Sequence, residues 1–226
     1  VPASVAVPRG PFPPLDPTLA GVVWSAPSDA EAAIADLGLP ERDDHEISTL
    51  IGLGVWEAMA ILFPDHPRDE LEPKLLDYRA RRGPGRFEQA SLFPQVRETL
   101  QVFADDGLTL AVATGKGRQG LEVSLDATGL RSYFKATRTV DEAPSKPAPD
   151  MLEELLWETD TPPGRALMVG DSEYDLAMAR NAQVASVGVL CGVHDAQTLR
   201  RCNPLGLIAH VAELPMWLAA QSRRRA

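Results

Sequence analysis

Two aspartates four residues apart, Asp171 and Asp175, have the type and spacing that a metal site can use. An apolar run at 167–169 leads through Gly170 into this pair, and helical spacing resumes at Leu176. Both carboxylates are therefore expected where a buried strand ends and a helix begins. Open α/β sheets bind ligands at that edge, and two carboxylates there suit a hard cation such as Mg²⁺. The structural alternative is an aspartate N-cap followed by an acidic first helical turn.

Two further signals each follow a predicted strand. In Thr114-Gly115-Lys116, a hydroxyl and backbone N–H groups follow the apolar run 111–113, where a phosphate could bind. A Thr-Gly turn that simply starts a helix has the same sequence. Lys146 stands between prolines on a stiff loop and offers a fixed cation to an anionic substrate, whereas most lysines are only solvated. The three signals come in the order hydroxyl, ammonium and carboxylate pair, each after a predicted strand. Chance would produce all three together far less often than any one alone.

The composition limits the partners and the compartment. The 226 residues suffice for one large or two small domains, and the net charge of -10 argues against nucleic acid or an anionic membrane. Two cysteines, Cys191 and Cys202, are too few for a disulfide framework. We see no apolar run of about 18 residues and no signal peptide. We therefore expect a cytoplasmic protein, and we expect it to be a monomer or a homodimer.

Strands alternate with helices after residue 93, which predicts an α/β protein with a parallel sheet covered on both faces. The predicted strands are 108–113, a short one within 133–140, 166–169 and 184–190, and the predicted helices between them are 96–103, 120–127, 151–157 and 176–181. Before residue 88, apolar residues recur at helical spacing over 32–37, 47–62 and 71–78, which predicts a small helical bundle. Four large apolar side chains at helical positions are expected in the core: Trp56, Met59, Trp157 and Trp217. His194, on a loop near the sheet edge, is expected to be solvated, with an approach to the substrate as the alternative.

Together these motifs resemble the haloacid dehalogenase (HAD) superfamily of aspartate-nucleophile hydrolases, and within it the phosphoglycolate phosphatase-like branch. The resemblance covers residues 30–218, including the helix end at 32–40 and the turn at 51–54. It implies a HAD-like, Rossmann-like parallel sheet core at 1–29 and 89–226 with an inserted all-helical cap domain at 30–88. It also implies a Mg²⁺-dependent phosphatase of a small phosphorylated metabolite, of the phosphoglycolate kind.

The same resemblance implies roles for individual residues. Thr114 would bind the transferring phosphoryl group, with Gly115 and Lys116 contributing to substrate binding. Lys146 would hold the phosphate and the nucleophile. The two aspartates at 171 and 175 would hold Mg²⁺, directly or through water. The cap would close over the substrate and exclude water during phosphoryl transfer.

The first motif of that family, Asp-x-Asp-Gly-Thr-Leu at the end of the first strand, is not found in this chain. The closest match is Pro-Leu-Asp-Pro-Thr-Leu at 14–19, where prolines replace the nucleophile and the glycine. In that register Asp16 is the acid/base and a third metal carboxylate, whereas Pro14 has no oxygen that can attack phosphorus. Two alternatives remain open: Asp16 itself attacks, or residues 22–24 form the first strand and Ser25 attacks.

Three functional interpretations follow. The leading one is a HAD-type phosphatase impaired by the missing nucleophile. The second is a non-catalytic pseudoenzyme, or a phosphate- or metabolite-binding protein, on the same fold. The third, a phospho-acceptor domain of the response-regulator type, is disfavoured by the inserted helical block. Six prolines crowd the first seventeen positions, which fits either a true pseudoenzyme or a start region altered by a frameshift, a misassigned start or engineering.

Overall fold

A computed structural model describes residues 3–4, 18–20, 24–25, 34–82 and 91–223 of the chain. Within these ranges, seven strands form one sheet and two short strands form another. The strands are β1 (Ala3–Ser4), β2 (Thr18–Ala20), β3 (Trp24–Ser25), β4 (Ser91–Leu92), β5 (Thr109–Thr114), β6 (Ala136–Thr139), β7 (Ala166–Gly170), β8 (Ala185–Val189) and β9 (Gly206–Ile208). The described helices are α1 (Asp44–Thr49), α2 (Val55–Leu62), α3 (Arg68–Arg82), α4 (Val96–Asp105), α5 (Arg118–Thr128), α6 (Asp150–Glu158), α7 (Glu173–Asn181), α8 (Ala196–Arg201) and α9 (Leu214–Arg223), besides a helical segment at 34–36.

The main sheet runs in the order β6-β5-β2-β7-β8-β9, and every pair along this path is parallel. Strands β7 and β8 are buried at each residue. Such unbroken burial is typical of a parallel sheet with helices on both faces, and it explains why these strands read as apolar runs rather than as alternating patterns. The predicted α/β fold with a parallel sheet is thus confirmed.

A short antiparallel strand, β1, is added to this sheet. Ala3 pairs with Thr114 and Ser4 with Ala113. Because β6 pairs with the other edge of β5 at the same residues, β1 lies on the side of β5 that faces β2, and it also contacts β7. The two-stranded sheet joins β3 to β4 in antiparallel fashion. Neither β1 nor this small sheet was predicted from the sequence.

Two separate apolar clusters support the two parts of the fold. The larger one lies on the main sheet and is formed by residues of β5, β7 and β8 with helices such as α4, α6 and α9. The smaller one lies within residues 34–82, which we call the helical block. Its fully or largely buried members include Ile34, Ile47, Met59, Phe63, Leu71, Leu75 and Tyr78. The helical block therefore has its own core, as the predicted bundle requires.

The helical block departs from the sequence prediction at one point. The periodic apolar residues at 47–62 predicted one helix, but the structure has α1 and α2 with a turn at 51–54 between them. Gly52 adopts a φ of 119°, a left-handed conformation that few other residues tolerate, and Gly54 is the N-cap of α2. Apolar spacing alone did not predict this break, although the two glycines are its local signal.

The first core strand also differs from the predicted register. β2 pairs with β5 on one side and β7 on the other, and Thr18 is level with Thr109 and Ala166 at the starts of those strands. Thr18 therefore lies within the strand. The match at 14–19 requires it to follow the end of the strand, so that register is not observed. The alternative strand at 22–24 is wrong as well, because Trp24 and Ser25 pair with β4 in the small sheet.

Within the described ranges, no helix is long and apolar enough to cross a membrane.

Candidate functional site

The motifs predicted to carry chemistry meet at one edge of the main sheet. Thr114 is the last residue of β5, and Asp171 directly follows β7. The pairing of β2 shows that these two residues are level, since Ala20 is opposite both Ala111 and Met168. Thr114 and Asp171 each stand three residues beyond those partners. The predicted convergence at the carboxyl ends of the strands is therefore seen for these two residues.

Lys146 reaches this edge from the loop between β6 and α6. Its Nζ donates to Oδ1 of Asp175 at 2.5 Å, and both side chains are almost completely buried. The loop is held against α7 by a second contact, in which Asn181 donates to the carbonyl oxygen of Pro147 at 2.8 Å. The ammonium is thus fixed, as a proline-stiffened loop predicts, and its orientation is set by a carboxylate that follows the next strand.

Asp175 also closes the first turn of α7. Its Oδ2 accepts from the backbone N–H of Ser172 at 3.1 Å and from the Ser172 hydroxyl at 2.7 Å. The N–H of Asp175 donates in return to the Ser172 hydroxyl oxygen, which completes a capping box. The aspartate N-cap that the sequence offered as an alternative is wrong, because the N-cap is Ser172, whereas the acidic first turn is observed. Sequence reasoning missed Ser172, although a serine followed three residues later by an acid is a known N-terminal signal.

Asp171 has a different environment from its neighbour. Its Oδ2 accepts from the N–H of Val193 at 2.9 Å, and the residue is 1% exposed. Burial, and then the negative charge of Asp175, raise the pKa of the Asp171 carboxyl to about 7. Gly192 makes the close approach possible, because a Cβ at that position would stand 1.8 Å from Oδ2 of Asp171. The charge of the Lys146 ammonium acts against this rise in the pKa of Asp171 but does not cancel it.

Thr114 and Lys116 divide the predicted phosphate-binding segment. Thr114 is fully buried, and its Oγ1 accepts from the N–H of Lys116 at 3.2 Å. The N–H of Lys116 is one of the backbone groups predicted from the sequence to bind a phosphate. The Lys116 ammonium donates to the hydroxyl of Ser124 on α5 at 2.8 Å, and burial lowers the pKa of Lys116 to about 8. The structure therefore brings Thr114 to the site edge and directs the Lys116 side chain towards α5.

The position beside Thr114 in the sheet is taken by β1. The residues there are Ala3 and Ser4, and neither carries a carboxylate. Among the described residues, no group of three acids, histidines or cysteines is arranged to hold a metal ion. Asp16 and Pro14 lie outside the described residues, so the roles assigned to Asp16 stay predictions.

The helical block contacts the site edge through the turn at 51–54. Gly54 donates its N–H to the hydroxyl oxygen of Ser145 at 2.6 Å. A Cβ on Gly115 would stand 2.7 Å from the carbonyl oxygen of Leu53 and 2.9 Å from that of Gly52. The backbone of the turn therefore packs directly on the residue that follows Thr114, and only a glycine at 115 allows this approach.

Two side chains differ from their predicted surroundings. Trp157 is 85% exposed, so the expectation that it lies in the core is wrong. The buried residues of α6 are at 151, 152, 155 and 156, and Trp157 falls beyond that stripe. His194 was expected to be solvated and is instead 7% exposed, because it packs between the core and the helical block.

Comparison with known proteins agrees with this fold. A family profile described as "Haloacid dehalogenase-like hydrolase" matches residues 15–189. The chain belongs to this family. The HAD-like assignment made from the motifs is therefore confirmed, including the α/β fold.

Individual relatives of this HAD-like protein are phosphatases by name. The chain is 31% identical over 204 residues to "Probable phosphatase IndB" of Dickeya dadantii, covering 88% of this chain and 89% of that protein. It is 28% identical over 211 residues to phosphoglycolate phosphatase of Vibrio parahaemolyticus, covering 88% and 91%. The fold is similar to the crystal structure of a phosphonoacetaldehyde hydrolase-like protein from Oleispira antarctica, with a TM-score of 0.77 at 18% identity, covering 90% of each chain.

Proposed function

We propose that this protein is a HAD-type phosphatase that binds a small phosphorylated metabolite, phosphoglycolate-like in size, at the edge formed by Thr114, Lys146, Asp171 and Asp175. We further propose that hydrolysis is strongly impaired because the nucleophilic carboxylate is missing. The observation that carries the proposal is the buried Lys146–Asp175 pair beside Asp171, level with Thr114. The phosphatase names of the relatives support the same reaction class.

In this proposal the helical block is a cap. It has its own apolar cluster, and its turn at 51–54 packs on Gly115 and donates to Ser145. A block that touches the site through one turn can exclude water from a bound phosphate and leave the core sheet unchanged. We therefore assign residues 30–88 to a cap and residues 1–29 and 89–226 to the core.

The residues present at this edge fit Mg²⁺. Asp171 is a buried carboxylate whose pKa is raised to about 7. A cation bound next to it would therefore favour its ionised form at neutral pH. Both oxygens of Asp175 already accept hydrogen bonds, which suits a role through water. We propose that Asp171 binds the ion directly and Asp175 through water. When bound, Mg²⁺ would neutralise charge on the phosphoryl oxygens.

The remaining roles belong to side chains of the core. The Thr114 oxygen accepts from Lys116, which directs the hydroxyl hydrogen away from that N–H so that it can be donated to a phosphate oxygen. The Lys146 ammonium balances the charge of a phosphate while Asp175 fixes its position. These groups bind and orient a phosphoryl group, but none of them can form the aspartyl-phosphate of the family.

The impairment follows from what stands next to Thr114. In the described part of the chain, the strand residues on that side of Thr114 are Ala3 and Ser4, and neither can act as the carboxylate nucleophile. Loss of a covalent nucleophile costs more than loss of one oxyanion contact, which is about 10²–10³ in rate. The alternative proposal, a non-catalytic phosphate- or metabolite-binding protein, rests on the same observation.

Hydrolysis of p-nitrophenyl phosphate with and without Mg²⁺ tests the proposal. We would compare the wild-type chain with Asp16→Asn, with the double variant Pro14→Asp/Pro17→Gly, and with Val23→Asp. Ala20 pairs with Ala111 and Met168, and Thr114 and Asp171 each follow those partners by three residues. Val23 follows Ala20 by the same three residues, which is why it is chosen. Circular dichroism would establish that each variant is folded, and calorimetry with inorganic phosphate and Mg²⁺ would measure binding.

A wild-type rate at least about 10²-fold below that of one restored variant is the expected result. Restoration by the double variant would support the register of the motif match, and restoration by Val23→Asp would support the register of β2. Mg²⁺-dependent wild-type turnover that Asp16→Asn abolishes would refute the impairment and show that turnover requires the Asp16 carboxylate. Phosphate binding with all variants inactive would favour the binding protein, and neither binding nor turnover would overturn the whole proposal.

A further inference from the structure

His194 connects the core to the helical block through both nitrogens of its ring. The backbone N–H of Glu173, the first residue of α7, donates to Nδ1 at 2.9 Å. Nε2 lies 3.0 Å from the carbonyl oxygen of Thr49, the last residue of α1. Because Nδ1 accepts a hydrogen bond, the ring hydrogen is bonded to Nε2, which donates to the carbonyl oxygen of Thr49. One imidazole therefore bridges the end of α1 and the start of α7, and His194 itself is 145 residues from Thr49 in the chain.

The polarity of both helix ends favours this arrangement. The start of α7 carries partial positive charge on its unpaired N–H groups, and it faces the Nδ1 lone pair. The end of α1 carries partial negative charge on its last carbonyls, and it faces the Nε2–H. The contact thus satisfies one backbone group of each helix that has no partner within the helix itself.

His194 is well anchored on the core side of this bridge. Its own backbone N–H donates to the carbonyl oxygen of Asp171 at 3.0 Å. Its ring lies 5.8 Å from the ring of Tyr174, measured between centroids. Tyr174 in turn packs against the apolar cluster of the helical block. The histidine is therefore a fixed element of the core that presents a hydrogen-bond donor to the helical block.

The bridge acts on the part of the helical block that covers the site. Thr49 is followed closely by the turn at 51–54, whose carbonyls pack on Gly115 and whose last N–H donates to Ser145. Holding the end of α1 in place therefore holds the turn against the residues next to Thr114 and Lys146. Ser145 supplies the second polar contact across this boundary.

We propose that His194 is a positioning residue that keeps the helical block closed over the phosphate site, through the hydrogen bond from Nε2 to Thr49. Ser145 is the second latch, through the bond from Gly54. The meaning of this closure for catalysis rests on the proposed phosphatase function. The closure itself is a property of the free chain and can be measured without substrate or turnover.

Two conservative variants separate the latch from a purely structural role of His194. In His194→Asn the amide oxygen takes the place of Nδ1 and accepts from Glu173, but no donor reaches Thr49. In His194→Gln the amide nitrogen takes the place of Nε2 and donates to Thr49. Hydrogen–deuterium exchange of the full chain, read by mass spectrometry, would compare both with the wild type. Ser145→Ala tests the second contact in the same way.

We expect His194→Asn and Ser145→Ala to speed exchange of amides in residues 50–58 about five-fold, the effect of losing one hydrogen bond. Peptides from α7 should exchange as in the wild type in His194→Asn and Ser145→Ala, and His194→Gln should stay within about two-fold of the wild type at residues 50–58. Unchanged exchange at 50–58 in His194→Asn would overturn the proposal. Faster exchange in α7 and β7 in both histidine variants would also overturn it, because it would indicate a structural role. These readings hold even if phosphate binding and turnover are both absent.

Discussion

Lys146 and Asp175 form an ion pair that is removed from solvent, with Nζ 2.5 Å from Oδ1. The pair ties the loop after β6 to the first turn of α7, so two motifs that are 29 residues apart become one rigid unit. Because Ser172 holds the other oxygen of Asp175, the carboxylate has little freedom to move. The site edge is therefore organised before any ligand binds, and its energetics can be tested directly.

Removing one partner of this pair should destabilise the protein strongly. We expect Lys146→Met to lower the free energy of unfolding by ~3–5 kcal/mol, since it leaves the Asp175 carboxylate buried and uncompensated. The same substitution at the exposed Lys74, which pairs with Glu70 at 3.2 Å, should cost less than ~1 kcal/mol. Urea unfolding followed by circular dichroism measures both.

The double variant Lys146→Met/Asp175→Asn makes this prediction specific. Its loss of stability should be smaller than the sum of the two single losses by ~1–3 kcal/mol, because the second change removes the charge that the first left unpaired. Additive losses would contradict the claim that the two side chains depend on each other.

Asp171→Asn should abolish Mg²⁺ binding with the fold retained. An amide oxygen is a much weaker ligand for a hard cation than a carboxylate, and no group of three candidate ligands in the described ranges could take over the ion. Isothermal titration with MgCl₂ measures the affinity. The control is Asp160→Asn, a position in the left-handed backbone region that asparagine also adopts. Equal affinity in the wild type and Asp171→Asn would remove Asp171 from the metal site.

The stability of the metal-free protein should depend on pH through Asp171. Its pKa is about 7 in the folded chain and 3.8 ordinarily, so between these values the folded chain holds a proton that the unfolded chain has released. The free energy of unfolding should therefore fall as the pH rises from about 4 to about 7. In EDTA, Asp171→Asn should gain ~1–3 kcal/mol on the wild type between pH 5 and pH 8. Parallel curves for the two proteins in urea titrations would refute this assignment, and Asp160→Asn again serves as control.

Gly115→Ala should displace the helical block from the site edge. The new methyl group would stand 2.7 Å from the Leu53 carbonyl oxygen and 2.9 Å from that of Gly52, and backbone atoms cannot turn away as a flexible side chain can. We expect faster amide exchange at 50–58 and a larger radius of gyration by small-angle X-ray scattering. Gly38→Ala is the control for lost stability without a clash at the site edge, since a Cβ there meets nothing within 4 Å but its φ of 67° strains alanine. A compact Gly115→Ala variant with wild-type exchange would show that the turn is not in close contact.

Much of the core could be predicted because burial leaves a periodic trace in the sequence. The strands β5, β7 and β8 were found within one or two residues of their observed ends, since parallel strands buried on both faces are continuous apolar runs. The short strand β9 and the helices α8 and α9 were missed, because weak or brief patterns carry little signal. The break between α1 and α2 was missed because apolar spacing continues across it.

The sequence by itself determined the family, the parallel α/β core and the edge at which Thr114, Lys146 and Asp171 gather. It could do so because the carboxyl ends of parallel strands lie on one side of a sheet. It also determined that the familiar nucleophile motif is absent, which is a matter of residue types alone. Only the tertiary structure decided that Thr18 lies inside β2, that Asp175 is shared by Lys146 and Ser172, and that His194 reaches Thr49. These outcomes depend on register and on contacts between distant segments, which local periodicity does not encode.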